Sequence, residues 1–294
     1  MVKQFLLFTI VIGLDEVYHF CGSALLCESM SDPALNAIDL LCPIGFGQRA
    51  LISAPTRSGK SELIQKLALA IETKYPSAHV MLLLLGSRPE EVTALKESVK
   101  GEVIHANFDS QPEATAHIAE LALEHAMRLA EAKKDVILLT DSLTNLCLAY
   151  NTMAPANSRT LQSGLALGSL VRAKRFFGAA RNLREGGSLT IIATMQTGGS
   201  SINENIIDEF KGTSNMTAEL IRIPGEKRMF PVINPDTSET RRDELMLSKD
   251  EKVLENMVRE TLMQVPGKSY ATLVQMLYGI HSQSDLLKRL SGKM

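Results

Sequence analysis

Cysteine is scarce in this chain, and its few cysteines follow no pairing pattern. Among 294 residues there are four, Cys21, Cys27, Cys42 and Cys147. Their spacings are unrelated to one another, unlike those of a disulfide framework or a zinc site. We therefore expect free thiols in a reduced, cytoplasmic protein.

A strong excess of charge of either sign is also absent. There are 31 Lys and Arg residues against 33 Asp and Glu residues, which leaves a formal net charge of -2. The whole chain therefore exerts no general attraction on nucleic acid, and any contact with RNA would need a local basic patch. With 45% hydrophobic residues the composition excludes disordered and collagen-like chains and favours one or two soluble globular domains.

No apolar run is long enough to span a membrane. The longest candidate, residues 5–14, follows Lys3 and ends at Asp15 and Glu16. A membrane-spanning helix needs about 20 apolar residues, and no small-x-small cleavage site follows closely as in a signal peptide. We expect neither membrane insertion nor export, and we interpret residues 1–30 as a divergent segment that forms a buried strand or docks on the following domain.

Short apolar runs alternate with longer amphipathic stretches from about residue 46 onward. The runs are typical of buried parallel strands, and they cover residues 50–53, 79–85, 102–106, 136–140 and 188–194. The stretches between them have helical periodicity and the length of right-handed crossovers, notably residues 61–73, 90–99 and 112–133. This alternation predicts an α/β fold with a mainly parallel central sheet flanked by helices.

One principal domain accounts for most of the chain. No internal repeat, linker or low-complexity tract interrupts residues 46–235. Residues 252–293 carry apolar side chains at helical spacing and predict two or three packing helices without chemistry, with Leu254, Met257, Leu262, Leu273, Met276 and Leu277 on their apolar faces. We therefore divide the chain into segment 1–30, a core at 31–247 and a helical appendage at 248–294.

A phosphate-binding loop is indicated at the first strand-to-helix junction. Residues 54–61 resemble a P-loop, with Ala54 where the first glycine usually stands. Gly59 permits a close backbone turn, Lys60 can reach the β- and γ-phosphates, and the Ser61 hydroxyl can ligate Mg²⁺. A chance Gly-Lys-Ser on a surface turn is the alternative, but the flanking strand and helix favour ATP and Mg²⁺ binding. The predicted nucleotide-binding residues are Thr56, Arg57, Ser58, Gly59, Lys60 and Ser61.

A carboxylate follows the fourth apolar run. Asp141 ends the run 136–140, and the carboxyl ends of parallel strands meet at one edge of a sheet. It could therefore serve as a Walker B aspartate in the magnesium shell. An N-cap for a helix at 142–150 is the alternative, and the presence of Lys60 and Ser61 favours the metal ligand.

A basic segment occupies residues 142–184, which contain no acidic residue. Its cations are Arg159, Arg172, Lys174, Arg175, Arg181 and Arg184. Such a one-sign segment is typical of contact with an RNA backbone. It could equally pair with the acidic region 90–131 or with a neighbouring subunit, and charge alone leaves both interpretations open.

Several longer runs resemble the bacterial transcription termination factor Rho family. They include residues 88–92 (Arg-Pro-Glu-Glu-Val) and 175–182 (Arg-Phe-Phe-Gly-Ala-Ala-Arg-Asn), with further matches at 43–49, 185–194 and 209–213. The resemblance is colinear from about residue 31 to about residue 247. F1-type ATPases and RecA recombinases share the fold but lack the two runs quoted first.

The resemblance implies a RecA-like ATPase that assembles as a hexameric ring and binds ATP between subunits. It implies translocation on single-stranded RNA and helicase activity that dislodges RNA polymerase. Carried over residue by residue, it assigns phosphate binding to Lys60, Mg²⁺ to Ser61 and Asp141, adenine stacking to Phe230 and an arginine finger offered in trans to Arg241. Without the family, Arg241 and Arg242 would be interpreted as an exposed basic turn.

Departures from the family pattern bear on activity. Gly86 and Ser87 stand where the family has Asp-Glu, and that glutamate activates the attacking water. A serine is too weak a base for this step, and loss of a general base costs about 10² to 10⁴ in rate. Glu90 and Glu91 lie nearby in sequence but within the following predicted helix. We therefore expect ATP binding more firmly than ATP turnover.

The loops expected to face RNA are partly altered. Arg159, followed by Thr160, keeps the basic position of the first loop, whereas Ser201 stands where the family places a lysine in the second loop. Asn145 replaces a family arginine after the Walker B strand. The lost cations predict weaker RNA and nucleotide contacts.

The sequence leaves two functional hypotheses. Residues 1–45 are too few for the family's N-terminal RNA-binding barrel, which indicates a reduced relative. The first hypothesis is an RNA-dependent ATPase core acting in transcription termination. The second is a hydrolysis-impaired ATP-binding paralogue that regulates or co-assembles with an intact Rho.

Overall fold

The computed structural model describes residues 32–161, 163–222, 232–265, 269–278, 286 and 289–290. The N-terminal segment 1–30, Cys21, Cys27 and the predicted adenine-stacking residue Phe230 lie outside the described residues.

A nine-stranded sheet forms the middle layer. The strands are β1 (Arg49–Pro55), β2 (His79–Ser87), β3 (Glu102–Asn107), β4 (Asp135–Asp141), β5 (Arg181–Asn182), β6 (Ser188–Thr197), β7 (Met216–Ile221), β8 (Val232–Ile233) and β9 (Glu239–Thr240). The spatial order is β3-β2-β4-β6-β1-β7-β8, with β5 beside β6 and β9 beside β7. The six longer strands are mutually parallel, and the three two-residue strands pair antiparallel. The five strands predicted from apolar runs are therefore confirmed.

Helices cover both faces of this sheet. They are α1 (Pro33–Leu41), α2 (Lys60–Lys74), α3 (Pro89–Ser98), α4 (Pro112–Glu131), α5 (Leu143–Thr152), α6 (Leu167–Phe177), α7 (Ser201–Lys211), α8 (Lys249–Met263) and α9 (Ser269–Leu277). Side chains of α1, α2, α3, α8 and α9 join one buried cluster, and those of α4 to α7 join the other. The predicted α/β fold with a mainly parallel central sheet flanked by helices is confirmed.

The strands supply both clusters because successive side chains point to opposite faces. Leu82 and Leu84 of β2 belong to the first cluster, whereas Met81 and Leu83 belong to the second. On the second face α4 contributes small side chains at spacings of three and four residues, which let the helix lie close to the sheet, namely Ala116, Ala119, Ala122, Ala126 and Ala130.

The predicted C-terminal packing helices are present as α8 and α9. Their Leu254, Leu262 and Leu273 are buried in the same cluster as Ile38 and Leu41 of α1. Within the described residues, no helix has both the length and the apolar character needed to cross a membrane.

Candidate functional site

The candidate site lies at the carboxyl edge of the parallel sheet. The loop 56–59 connects the end of β1 to the start of α2, and Asp141 is the last residue of β4. Strand β6 lies between β1 and β4. Ligands of open α/β sheets bind at this edge, outside the carboxyl ends of the strands.

Two left-handed residues shape the loop. Arg57 has φ 60° and Gly59 has φ 86°, and Gly59 is the N-cap of α2 without any side-chain cap. Ser58 Oγ donates to the Pro55 carbonyl at 2.8 Å and closes the turn. The first amides of a helix have no intrahelical acceptor. Combined with the helix dipole, they make this end of α2 suited to bind phosphate.

The Asp141 carboxylate contacts two other residues that the sequence predicted for this site. Lys60 Nζ lies 3.1 Å from Asp141 Oδ1, and Ser61 Oγ donates to Asp141 Oδ2 at 2.9 Å. Asp141 is only 6% exposed. One ammonium, one hydroxyl and one carboxylate therefore meet at the mouth of the loop.

A third contact to Asp141 was missed by the sequence reasoning. Thr194 of β6 donates from Oγ1 to Asp141 Oδ1 at 2.7 Å. Its strand is the one inserted between β1 and β4. The available signal was a hydroxyl at the end of the run 188–194, which also contains Ser188 and Thr190, but the sequence did not reveal which strand would lie between the two motifs.

The alternative role of Asp141 as a helix N-cap is wrong. Ser142 is the N-cap of α5, and its Oγ accepts the amide of Asn145 at 3.4 Å. The hydroxyl of Ser142 thus caps the helix, and the Asp141 carboxylate is directed to Lys60, Ser61 and Thr194.

Ser87 ends β2, the strand beside β4, and it is 9% exposed. In the register of β2 and β4, Leu84 stands opposite Asp141, so Ser87 lies three residues further toward the carboxyl edge. Glu90 and Glu91 lie in the first turn of α3, as the sequence indicated.

Gly86 and Asn145 lie against each other. Gly86 has φ 76°. Asn145 Nδ2 donates to the Leu85 carbonyl at 2.6 Å, and a Cβ atom on Gly86 would lie 2.6 Å from that same nitrogen. The two positions therefore share one small space.

Arg241 lies on another part of the sheet. It follows β9, is exposed, and donates its backbone amide to the Asn215 carbonyl at 2.9 Å. It lines a cavity of about 910 Å³ together with acidic side chains such as Glu219 and Glu239. Among the described residues that line this cavity, none belongs to the loop 56–61. Within one chain, then, the structure does not bring Arg241 to Lys60 and Asp141.

The two predicted RNA loops follow α5 and β6. Arg159 and Thr160 are exposed in a loop whose backbone is closed by the Thr160–Ala166 bridge. Ser201 is exposed at the start of α7, just after the end of β6. The backbone amide of Gln196 donates to Thr144 Oγ1 at 2.9 Å and joins the end of β6 to α5.

The basic segment 142–184 is partly neutralised within the chain. Arg172 pairs with Glu120 at 2.8 Å, and Lys174 pairs with Glu209 at 2.5 Å. Tyr150 OH also donates to Glu120, at 3.0 Å, and burial together with the Glu120 charge raises the pKa of this phenol. In contrast, the side chains of three further cations are exposed, namely Arg159, Arg175 and Arg184. The pairing with region 90–131 is thus present for Arg172, and RNA contact by the exposed cations stays a prediction.

The comparisons with known proteins agree with this geometry. The family model described as the ATP synthase alpha/beta family, nucleotide-binding domain, matches residues 34–240. Transcription termination factor Rho of Streptosporangium roseum is 50% identical over 228 residues, which are 77% of this chain and 60% of that protein. The Rho protein of Bacillus subtilis is 46% identical over 230 residues, 78% of this chain and 54% of that protein. The chain thus spans little more than half the length of these curated relatives.

Solved structures with a similar fold are more distant in sequence. An ATPase from the type III secretion system of pathogenic bacteria has a TM-score of 0.71 at 20% identity and covers 87% of this chain and 82% of its own. An ATP synthase subunit of Nanoarcheaum equitans has a TM-score of 0.75 at 16% identity and covers 94% of this chain and 82% of its own. At these identities the likeness concerns the fold alone.

Proposed function

The chain belongs to the ATP synthase alpha/beta nucleotide-binding domain family, and on that premise we propose that it is a Rho-like, ATP-dependent RNA translocase core acting in transcription termination. The observation that carries the proposal is the meeting of Lys60, Ser61 and Asp141 at 3.1 and 2.9 Å beside a helix N-terminus. The similarity to proteins named transcription termination factor Rho supports this proposal, which includes an RNA substrate and a cytoplasmic setting.

ATP binding would use the loop 56–61. The backbone amides at the start of α2 would hold the phosphates, and Lys60 would exchange its ion pair with Asp141 for the β- and γ-phosphates. Thr56, Arg57 and Ser58 would contribute backbone contacts. Phe230 remains the proposed adenine-stacking residue.

Magnesium fits the donor set at this point. Mg²⁺ prefers hard oxygen ligands, and the Ser61 hydroxyl and the buried Asp141 carboxylate supply two of them side by side. When bound, Mg²⁺ would neutralise charge on the transferring phosphoryl group. Thr194 would hold the carboxylate in place through its 2.7 Å hydrogen bond.

The trans position of Arg241 requires a second subunit. Because Arg241 lies on the β9 side of the sheet, away from the loop 56–61, a ring of copies is the arrangement that would present it to a neighbour's γ-phosphate. Such a cation would stabilise charge that develops during transfer and would couple turnover to the ring interface. A hexamer is the state that we propose, with RNA at the loops of Arg159, Thr160 and Ser201, and RNA polymerase as the eventual partner.

A second candidate function is favoured by Ser87. A neutral hydroxyl in place of the glutamate of the Rho family cannot act as a strong general base. The neighbouring Gly86 and Asn145 also depart from the Rho pattern that the sequence analysis described. The chain would then bind ATP with little turnover and would regulate or co-assemble with an intact Rho.

Nucleotide binding is tested first, with a fluorescent ATP analogue and purified protein. We expect Lys60→Ala to weaken binding by about tenfold to a hundredfold, the range for a lost charged hydrogen bond. Lys74→Ala is the matched control, because Lys74 lies on the same helix at its opposite end. Equal affinities of Lys60→Ala and the unmodified protein would contradict the proposed loop.

Turnover with and without a cytosine-rich RNA then separates the two candidates. RNA-stimulated hydrolysis by the unmodified protein would exclude the hydrolysis-impaired candidate. Binding without turnover would favour it, and Ser87→Glu should then raise the rate by roughly 10² to 10⁴. Ser87→Gln is the control, since it adds the same bulk without a base. If both variants stay inactive, the defect lies in assembly or RNA contact and not at position 87.

A further inference from the structure

Two histidines and a glutamate come together at the amino edge of the sheet, opposite the nucleotide site. His79 is the first residue of β2, Glu102 is the first residue of β3, and His125 lies on α4. Strand β2 runs from His79 to Ser87, so at 3.3 Å per residue the cluster lies about 26 Å from the end of that strand. It belongs to a different part of the molecule from the loop 56–61.

The register of the sheet places these side chains together. Glu102 stands opposite Met81 in the pairing of β3 with β2. His79 and Met81 are two residues apart and therefore point to the same face, which is the face covered by the alanines of α4. His125 immediately precedes one of those buried alanines, Ala126. The three side chains thus converge from three elements that are distant in sequence.

The Glu102 carboxylate is shared by the two imidazoles. His79 Nε2 lies 2.9 Å from Glu102 Oε1, and His125 Nε2 lies 3.3 Å from Glu102 Oε2. The ring centroids of the histidines are 6.4 Å apart at an interplanar angle of 82°. One ligand atom from each residue falls within 4.8 Å of the others.

This donor set is suited to a borderline transition-metal ion. Two imidazole nitrogens and one carboxylate oxygen are ligands that zinc accepts at about 2.0 to 2.2 Å, with a fourth position left to water or another donor. Calcium and magnesium prefer oxygen ligands alone. An ion between the side chains would replace the direct His–Glu contacts with coordination bonds.

We propose that His79, Glu102 and His125 form a zinc-type metal site that fastens α4 to the start of β2 and β3. The side chains are 27%, 44% and 47% exposed, so an ion can enter from solvent without unfolding. Because an ion that binds the folded state shifts the folding equilibrium, occupation of the site stabilises this edge of the sheet. The site is independent of ATP and of RNA.

Zinc chloride titrated calorimetrically into the untagged full chain, without nucleotide, tests the site. We expect His79→Ala and His125→Ala each to abolish the binding of one equivalent of zinc or to weaken the zinc affinity at least about tenfold. Even changes to outer-shell residues cost that much affinity. His117→Ala is the matched control, because His117 is an exposed histidine on the same helix outside the cluster. It should bind as the unmodified protein does.

The melting temperature and the absorption of bound Co²⁺ provide two further tests of the site. Zinc should raise the melting temperature of the unmodified chain and of His117→Ala, and should leave that of His125→Ala unchanged. Glu102→Gln, which keeps the shape of the side chain, should reduce both the affinity and the visible absorption of bound Co²⁺. The proposal is overturned if the unmodified chain binds no zinc, or if its stoichiometry and affinity match those of the folded His125→Ala variant.

Discussion

Asn145 occupies the space that a side chain at position 86 would need. Its Nδ2 donates to the Leu85 carbonyl at 2.6 Å, and a Cβ atom on Gly86 would lie at the same distance from that nitrogen. The two residues therefore form one structural unit beside Ser87. A substitution at either position therefore changes the environment of the other.

The first prediction concerns Gly86→Ala. Its φ of 76° is left-handed, which costs an alanine about 1 to 2 kcal/mol, and the contact with Asn145 adds to this cost. We expect urea denaturation to show that the free energy of unfolding falls by more than this backbone cost alone.

The double variant Gly86→Ala/Asn145→Ala provides the control for this prediction. Asn145→Ala alone should cost about 1 kcal/mol, because it leaves the Leu85 carbonyl without its donor. The double variant should lose less than the sum of the two single variants, since the close contact is gone. If the losses of the two single variants simply add, the contact between positions 86 and 145 does not contribute to the cost of Gly86→Ala.

The second prediction concerns Asp141→Asn. Ser61 and Thr194 donate to different oxygens of Asp141, so an amide keeps an acceptor for one of them, and it removes the charge that attracts Lys60 and a magnesium ion. We expect the Mg²⁺-dependent part of ATP affinity to fall roughly tenfold or more. Fluorescent-nucleotide titrations with Mg²⁺ and with EDTA measure this part directly. Asp208→Asn, an exposed change on α7, should preserve it, and an unchanged Mg²⁺ effect in Asp141→Asn would remove that residue from the metal site.

The sequence was sufficient for the elements whose signals are local. Short, mainly apolar runs predicted β1, β2, β3, β4 and β6, because parallel strands covered by helices are rich in apolar residues. The Gly-Lys-Ser ending predicted the loop at 56–61, since its chemistry lies within one turn. The two-residue strands β5, β8 and β9 were not predicted, because two residues carry no periodicity.

Properties that depend on strand order could not be derived in this way. Thr194 reaches Asp141 only because β6 is inserted between β1 and β4. The convergence of His79, Glu102 and His125 depends likewise on the register of β2 with β3 and on the position of α4. The place of Arg241 beside an acid-rich cavity follows from the pairing of β9 with β7.

The third prediction concerns the buried thiols. Burial raises the pKa of both Cys42 and Cys147 from 9.0 to about 12. At a given pH below 9 this lowers the thiolate fraction about 1,000-fold, and the thiolate is the reactive form. In a Cys21→Ser/Cys27→Ser background, we expect Ellman's reagent to find no fast thiol in the folded chain and two in guanidinium.

The same shifts predict an alkaline loss of stability. A thiol whose pKa is higher in the folded state keeps its proton at a pH where the unfolded chain has lost it. The contribution of the protonated thiol to the free energy of unfolding is therefore complete below pH 9 and declines as pH rises toward 12. Cys42→Ala should therefore show a shallower decline between pH 9 and 11 than the unmodified chain. A parallel decline in both proteins would contradict the assignment.

The fourth prediction concerns Glu255, which ties α8 to the rest of the fold. Glu255 is 2% exposed, and its carboxylate contacts Lys252 and Arg259 at 2.7 Å each. Arg259 in turn donates to the Leu41 carbonyl at the end of α1, at 2.7 Å. Glu255→Ala would leave Arg259 partly buried without its counter-charge, and breaking such a pair typically costs about 3 kcal/mol.

Glu131→Ala is the matched control for Glu255→Ala. Glu131 pairs with Arg128 on an exposed helix surface at 2.6 Å, and an exposed pair contributes at most about 1 kcal/mol. If Glu255→Ala lowers stability no more than this control does, the ion pairs of α8 are dispensable. If it lowers stability by the larger amount in a single cooperative transition, α8 unfolds together with the sheet. In that case the C-terminal helices are part of the folding unit that holds Lys60 and Asp141 in place.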